Sequence, residues 1–391
     1  MSNSDFKGVC GCIIMIDGKE ELAASSGGGG QNTPKIQNYM ESCQVDLRMD
    51  CPDMFSFDLV IQDQAVSVNL DDLVEGKPIE IKMGQQGKEE TVFKGEIHYI
   101  EPHFRNEGKS TVTVGGYDKS HRLTRGTSSR TWGDGIQNSP MHTSVVSDVL
   151  TKAGGKSGRD SLTSDKTDKP DMDMNYVPQL NASDYMFLKT LGHAADRTVA
   201  AATTTDDKKV SFSKLQPGSP VKKLSRQLSA KDKDAVPIGE AHLSLSTVRQ
   251  YHKVEVHGWD PKTKKPIKGE ATAADFKLNG TPGWESTGKA LYGNAGDGKV
   301  LSIVDRPVDS QKEADALAKA MFQQLSLEFL TGDMDFQGDP KVTPGSLVEC
   351  LGFGKRFDGQ YLVTQVTHIM VPRSQGYRTR VKVASNAIRE K

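Results

Sequence analysis

Residues 338–384 read GDPKVTPGSLVECLGFGKRFDGQYLVTQVTHIMVPRSQGYRTRVKVA, and this stretch predicts three β-strands joined by turns. A Pro-Gly pair marks the entry into the first strand, Leu347–Leu351, and the polar residues 355–359 form the next turn. The second strand, Tyr361–Val371, is long and rich in β-branched residues, and Pro372–Gly376 interrupts it before the third.

The third strand of this stretch alternates strictly between two kinds of side chain. One face carries Tyr377, Thr379, Val381 and Val383, and the other carries Arg378, Arg380 and Lys382. A period of two with so clean a division predicts that one face packs and the other meets water. The basic face then has two open interpretations, a solvated surface or a contact with acidic groups of another protein.

The same plan occurs far upstream. Gly76–Met83 is followed by a polar gap, by Phe93-Lys-Gly95 and by the strand Glu96–Ile100, just as Gly345–Leu351 is followed by a gap and Phe357-Asp-Gly359. Two similar β units in one chain predict a duplicated barrel. The alternative is that two unrelated hairpins share a common pattern.

Composition limits the classes of function. The chain has 391 residues, enough for two to four domains, and 35% of them are hydrophobic. Lys and Arg number 50 and Asp and Glu 51, so no overall charge attracts nucleic acid or anionic lipid. We therefore expect no nucleic-acid binding by the chain itself.

The cysteines and the N-terminus indicate where the protein is made. Five cysteines without regular spacing (residues 10, 12, 43, 51 and 350) favour a reduced compartment over a disulfide framework. Cys10-Gly-Cys12 could begin a metal site, but no second Cys/His pair follows at zinc-finger spacing. No signal peptide and no apolar run of about 20 residues is present, so we expect synthesis in the cytoplasm and no membrane span.

Changes in composition and hydrophobic pattern divide the chain into four predicted parts. Residues 1–37 form an extension with a Gly-rich linker, 38–125 a first β-barrel, 126–243 plus 276–330 an α/β insertion region, and 244–275 plus 331–388 a second β-barrel. Local pattern alone allows a sandwich as well as a barrel. Helices are predicted at Thr143–Ala153, after Ser183, and after Ser310, which begins a capping box.

Motifs for chemistry are weak. Gly283–Ala290 fits a P-loop except that Ala290 replaces the Ser or Thr that should bind Mg²⁺, and no buried strand precedes it. The histidines are scattered, and His98 and His103 lie on either side of Pro102. We therefore predict no catalytic, cofactor-binding or metal-binding residues, although a pair of glycan-cleaving carboxylates stays open because sequence spacing does not reveal it.

Several short motifs occur in a definite order along the chain. They are Phe93-Lys-Gly95; Gly116–Leu123; Asn181–Leu188, with Asp184, Tyr185, Phe187 and Leu188; Val254–Pro261, with Trp259 and Asp260; Phe357–Tyr361, with Asp358, Gly359 and Tyr361; Val366–His368, with His368; and Gly376–Thr379, with Gly376, Tyr377 and Thr379. Together they resemble the phage late control D proteins, or contractile-tail hub proteins. The same module is the hub portion of the VgrG spike protein of type VI secretion systems.

The resemblance implies a β-rich α+β fold of two related, tail-tube-like antiparallel β-barrels with α/β insertions. It also implies a structural baseplate hub, a homotrimer whose barrels form a pseudo-six-fold ring between a hexameric tail tube and a trimeric spike. The implied partners are the tail tube protein, a spike protein, and baseplate wedge or LysM-like components. VgrG continues into its spike whereas this sequence stops at Lys391, so we expect a separate spike protein.

Two functions from different classes remain. The first is the structural hub, located in a virion tail or a phage-tail-like injection particle. The second is a tail-tip cell-wall (peptidoglycan) hydrolase, which needs a carboxylate pair in a cleft. For the hub, Arg378, Arg380 and Lys382 are the candidate interface residues, and Trp259 is either a buried turn anchor or an exposed contact residue.

Overall fold

A computed structural model describes most of the chain. The described residues are 10–25, 40–49, 51–61, 73–133, 142–152, 162–167, 176–201, 206, 208–216, 218–227, 234–274, 276–292, 299–372 and 374–389. Within these ranges strands predominate over helices. No helix in the described ranges is long and apolar enough to cross a membrane.

The strands in chain order are β1 (Cys10–Ile16), β2 (Lys19–Ser25), β3 (Met40–Arg48), β4 (Met54–Ile61), β5 (Pro78–Gln85), β6 (Lys88–His103), β7 (Ser110–Tyr117), β8 (Ser128–Trp132), β9 (Thr163–Thr167), β10 (Val177–Ala182), β11 (Thr198–Ala201), β12 (Lys209–Ser213), β13 (Lys222–Ser225), β14 (Val236–Leu245), β15 (Lys253–Asp260), β16 (Lys265–Ala271), β17 (Thr281–Pro282), β18 (Val300–Ile303), β19 (Leu330–Gln337), β20 (Leu347–Leu351), β21 (Gly359–Val371), β22 (Gly376–Ser385) and β23 (Ala387–Ile388). The helices are α1 (His142–Lys152), α2 (Asp184–Ala194), α3 (Lys289–Tyr292) and α4 (Gln311–Ser326), with a 3₁₀ helix at Lys119–Thr124 and a π-helix at Trp284–Gly288.

One large sheet organises the molecule. Its strand order is β2-β1-β5-β6-β7-β4-β3-β21-β20-β13-β14-β19-β22, and β22 also pairs with β21. The six strands β21, β20, β13, β14, β19 and β22 therefore close into a barrel, which abolishes its edges. This confirms the predicted β-rich barrel fold. The short strand β13 is parallel to both neighbours, whereas the other pairings of this sheet are antiparallel.

Strand β3 joins the closed barrel to the first half of the sheet. Residues 43–48 of β3 pair antiparallel with residues 365–370 of β21, a strand of 13 residues. A single cluster of buried apolar side chains runs through both halves, including Phe55 and Phe93, whose ring centroids are 5.2 Å apart. The apolar side chains of the alternating strands thus share one core.

The N-terminal hairpin belongs to this sheet. Strand β1 pairs with β5 along its whole length, and its Cys12, Ile14 and Ile16 are buried in the shared core. The predicted extension, residues 1–37, therefore contributes a core strand. Within its predicted Gly-rich linker, residues 26–30 lie outside the described residues.

Strands β15 and β16 differ from their predicted place in the second barrel. They form a separate three-stranded sheet, β16-β15-β18, whose inward face packs on helix α4. Gly269 of β16 lies so close to Ala314 of α4 that a Cβ there would collide with the backbone of that helix. The barrel instead takes β13 and β14 from the region predicted as an insertion.

The remaining α/β region has its own small core. Helices α1 and α2 pack with β10 and the sheet β11-β12-β9, burying side chains such as Val149, Leu188 and Phe212. The predicted helix starts are confirmed: Ser183 Oγ accepts from the Met186 N–H at 3.3 Å, and Ser310 Oγ accepts from Glu313 N–H at 3.3 Å.

Candidate functional site: a charged face on the closed barrel

The outer face of the closed barrel carries neighbouring rows of opposite charge. On β22, Arg378, Arg380 and Lys382 point away from the core. The register places Asp333 of β19 opposite Lys382 and Asp335 opposite Arg380. The basic row therefore has acidic neighbours within the same chain, and opposite charges directly across an antiparallel pair stabilise the pairing modestly. We call these two rows the charged face.

Arg378 is held inside this face. Its guanidinium contacts the Asp335 carboxylate, whose other oxygen accepts the Glu240 N–H at 2.5 Å. A Cβ at Gly239 would collide with the Arg378 side chain, so the small residue there makes room for the pair. Arg378 and Asp335 expose 35% and 16% of their side chains, which makes this pair partly shielded from water.

Arg380 and Lys382 stay exposed. Together with Asp333, Glu240 and Gln365 they line a shallow depression of about 360 Å³ on the barrel surface. Its acidic groups lie on β14 and β19 and its basic groups on the adjoining β22, and such an arrangement favours a partner with the complementary distribution of charge. Of the three predicted interface residues, these two are therefore the ones available to a second molecule.

Behind the charged face, His368, Tyr377 and Thr379 meet in the core. The Tyr377 O–H lies 2.9 Å from His368 Nδ1, and Thr379 Oγ1 lies 3.3 Å from the same nitrogen. Thr379 Oγ1 also accepts the Asp339 N–H at 3.0 Å. Burial lowers the pKa of His368 to about 4, so the imidazole is neutral near pH 7. These motif residues hold β21 and β22 together from within.

The motif around Asp358 builds the turn between β20 and β21. The Asp358 carboxylate accepts the Phe353 N–H at 2.7 Å, and Gly359 adopts φ 152°, a conformation that side chains rarely allow. Tyr361 is buried and its O–H donates to the Phe357 carbonyl at 2.7 Å. This motif is therefore structural.

The upstream motif has a comparable part in the first half of the sheet. Phe93 is fully buried, and a Cβ at Gly95 would collide with the Tyr117 carbonyl. Asp118, fully buried, caps the 3₁₀ helix by accepting the Ser120 N–H, and it also accepts the Asp53 N–H. The strand end and the helix start are thereby fixed to each other.

The α2 motif secures the small α/β core. Asp184 pairs with Arg130 and accepts from Gln179 Nε2 at 2.8 Å. Phe187 stacks on Trp132 with a centroid separation of 5.1 Å, while Tyr185 and Leu188 are buried. None of these contacts requires a ligand.

Asp260, and not the neighbouring indole, fixes the turn after β15. Its carboxylate accepts the N–H groups of Lys262 and Thr263 at 2.8 and 3.2 Å. Trp259 is 54% exposed, so the prediction of a buried turn anchor does not hold and the exposed contact residue remains. Exposed tryptophan is enriched where proteins meet other proteins.

One group of side chains was missed from the sequence. Glu96, His98 and His121 converge beside Arg122, although the histidines were predicted to be scattered. The only available signal was that Glu96 and His98 are two residues apart on one strand, which puts them on the same face.

A family profile and several solved structures match the chain. The family described as "Alg8 N-terminal domain" matches residues 53–371. No curated protein matches the sequence. A 43 kDa tail protein of prophage MuSo2 from Shewanella oneidensis is similar at a TM-score of 0.66 and 12% identity, covering 97% of this chain and 99% of that one.

Two further structures agree. A tail protein from Neisseria meningitidis MC58 has a TM-score of 0.63 at 13% identity, covering 96% of this chain and 97% of its own. A type VI secretion system component of E. coli has a TM-score of 0.53 at 12% identity, covering 88% of this chain and 73% of that protein. At these identities the likeness establishes a shared fold.

Proposed function

The chain belongs to the Alg8 N-terminal domain family, and we propose that it is the structural hub of a contractile injection machine. In this proposal it forms a homotrimer that adapts a hexameric tail tube to a trimeric spike. Its place is the baseplate of a phage tail or of a phage-tail-like particle, after synthesis in the bacterial cytoplasm. It acts by presenting surfaces and carries no catalytic centre.

The observation that carries this proposal is agreement of fold over nearly the entire length of two tail proteins, with 96–97% of this chain covered. At this coverage the compared length contains both halves of the large sheet. Because fold by itself does not imply function, the architecture has to explain the role.

The architecture supplies that explanation through its two halves. One half is a closed barrel of six strands, and the other is a run of seven strands joined to it through the pairing of β3 with β21. Three chains with two such units each present six units around one axis. A ring of this kind matches six-fold neighbours on one side and three-fold neighbours on the other.

The exposed part of the charged face is the surface that we assign to assembly. Arg380 and Lys382 lie beside Asp333 and Glu240 without being buried. The proposed contacts are with a second copy or with the tail tube, and the spike and the wedge or LysM-like components occupy other surfaces. Mixed charge sets register and partner choice more than affinity, as an adaptor requires.

The test is stoichiometry in the presence of the partners. Light scattering or native mass spectrometry of the chain with its tube and spike proteins should show three copies of the chain per complex. A chain that stays monomeric with both partners present would refute the hub. A turbidity assay on purified peptidoglycan, with a known muramidase as positive control, should show no clearing, whereas clearing would favour the hydrolase.

A further inference from the structure

A cluster of metal-ligating groups lies where β6 meets the 3₁₀ helix. Glu96, His98 and His121 each offer one ligand atom, and these atoms lie within 4.8 Å of one another. The two Nε2 atoms are 2.7 Å apart, and the ring planes meet at 70°. Glu96 and His121 are buried and His98 is half-buried, so the groups converge in a partly enclosed place.

The backbone explains this convergence. Glu96 pairs with Tyr117 at the end of β7, and the chain then turns through Asp118 into the 3₁₀ helix. The turn brings His121 back over β6, above the face that carries Glu96 and His98. The ligands thus come from two elements that the buried cap fixes to one another.

A hydrogen bond on its far side orients the His121 ring. Its Nδ1 lies 2.8 Å from the Asp118 carbonyl and donates to it, so Nε2 faces the cluster with its lone pair. Asp118 is itself held, because its N–H donates to the Asp53 carbonyl at 3.0 Å. A back-side hydrogen bond from imidazole to a carbonyl is the usual way in which proteins aim a histidine at a metal.

Two arginines flank the cluster in different ways. Arg122 pairs with Glu96 and is mostly buried. Arg125 lies at the exposed end of the 3₁₀ helix, with a guanidinium nitrogen 2.7 Å from His121 Nε2. The Arg125 guanidinium therefore occupies the position in which a metal ion would meet the lone pair of His121 Nε2. Because Arg125 is exposed, it can leave without loss of core packing.

We propose that Glu96, His98 and His121 form a binding site for a divalent transition metal of the zinc class. The Arg125 guanidinium competes with the ion for His121 Nε2. Two imidazoles and one carboxylate suit Zn²⁺, which takes three protein ligands and a water in tetrahedral geometry. Ligand nitrogens about 2.0 Å from such an ion lie about 3.3 Å from each other, so the rings must separate by about 0.6 Å. Because His121 Nε2 is an acceptor, the His98 Nε2–H donates to it at 2.7 Å, and this proton moves to His98 Nδ1 when the ion binds.

The bound ion would join the first half of the large sheet to the segment that enters the α/β region. This role does not rest on the hub proposal. The two can fail separately, because metal binding is measured on the isolated chain and stoichiometry on the complex.

The test is titration of the chelator-treated full chain with Zn²⁺ alone against a competing indicator dye. One equivalent should bind, and His98→Gln should weaken binding by more than about 100-fold, which exceeds the cost of losing a hydrogen-bond partner of a metal ligand. His103→Gln, an exposed histidine of the same strand, is the matched control and should leave affinity unchanged. Arg125→Gln keeps every ligand and should tighten binding at least tenfold.

Two results would overturn the site. The first is the absence of stoichiometric binding in both the wild type and the Arg125→Gln variant, which keeps the fold because its side chain is exposed. The second is an affinity that His98→Gln and His103→Gln lower equally, which would mark adventitious binding. Co²⁺ replacing Zn²⁺ should give the intense visible bands of tetrahedral coordination in the wild type and lose them in His98→Gln.

Discussion

Lowering the pH should reduce the free energy of unfolding through His368, which is buried in the closed barrel. Burial lowers the pKa of this imidazole from 6.5 to about 4. Between these values the unfolded chain binds a proton that the folded chain does not, so the free energy of unfolding falls as the pH falls through the window. The whole window corresponds to about 3 kcal/mol for this one group, and the step from about pH 7.5 to about pH 5 to about 2 kcal/mol.

The assay is urea unfolding followed by circular dichroism at those two pH values. Other groups titrate in the same range; burial raises the pKa of Glu313 to about 6, which acts in the opposite direction. The comparison therefore uses His368→Gln, whose amide cannot take up the proton, and His103→Gln as the exposed control.

The variant should lose stability at both pH values, because the contact with the Tyr377 O–H changes. Its decrease between the two pH values should be smaller than that of the wild type by about 2 kcal/mol. The reasoning fails if wild type, His368→Gln and His103→Gln all lose the same free energy on acidification, since the buried ring would then not carry the effect.

Four substitutions test other parts of the structure. Arg378→Glu places a like charge beside Asp335 and should destabilise the fold by about 1 kcal/mol in urea, after allowance for its partial exposure, whereas a neutral effect would mean that the pair is solvated. Arg380→Glu should leave the melting temperature unchanged but block incorporation into particles. A normal particle yield would mean that the charged face is a solvated surface and not a contact with another protein. Trp259→Ala should change stability by less than about 0.5 kcal/mol, and a loss several times larger would show a buried indole. Gly269→Ala should cost about 1–3 kcal/mol, because its Cβ meets the backbone of α4, and an unchanged melt would show that the helix can retreat.

Much of the fold was predictable because local periodicity determines it. The alternation in β22 predicted both its strand character and the side that packs, since burial of one face fixes the register, and the run of β-branched residues in β21 predicted a strand. The caps at Ser183 and Ser310 marked the helix starts because a hydroxyl acceptor is needed there for free N–H groups.

Other features depend on which elements meet, and alternation does not encode this. Strands β15 and β16 have the period of barrel strands, but their apolar face packs on α4. Trp259 lies on the opposite face, and only the position of that face in space decides its exposure. The candidate site was predictable in part. The basic row follows from the alternation of β22 alone, whereas the acidic row on β19 is its neighbour only because of the pairing register.

The junction between the two halves also sets the order in which the chain can fold. Thr367 Oγ1 donates to the Asp46 carboxylate at 2.6 Å across β21 and β3, and the two residues are 321 positions apart. At about 5–20 residues per second on a ribosome, β3 emerges roughly 15–60 seconds before the strand that covers its edge. During this interval its backbone is an open template for wrong pairing, and the charges of Asp46 and Arg48 on that edge are the kind of residue that discourages such pairing. A long-lived open edge therefore makes the yield during synthesis sensitive to loss of these two charges.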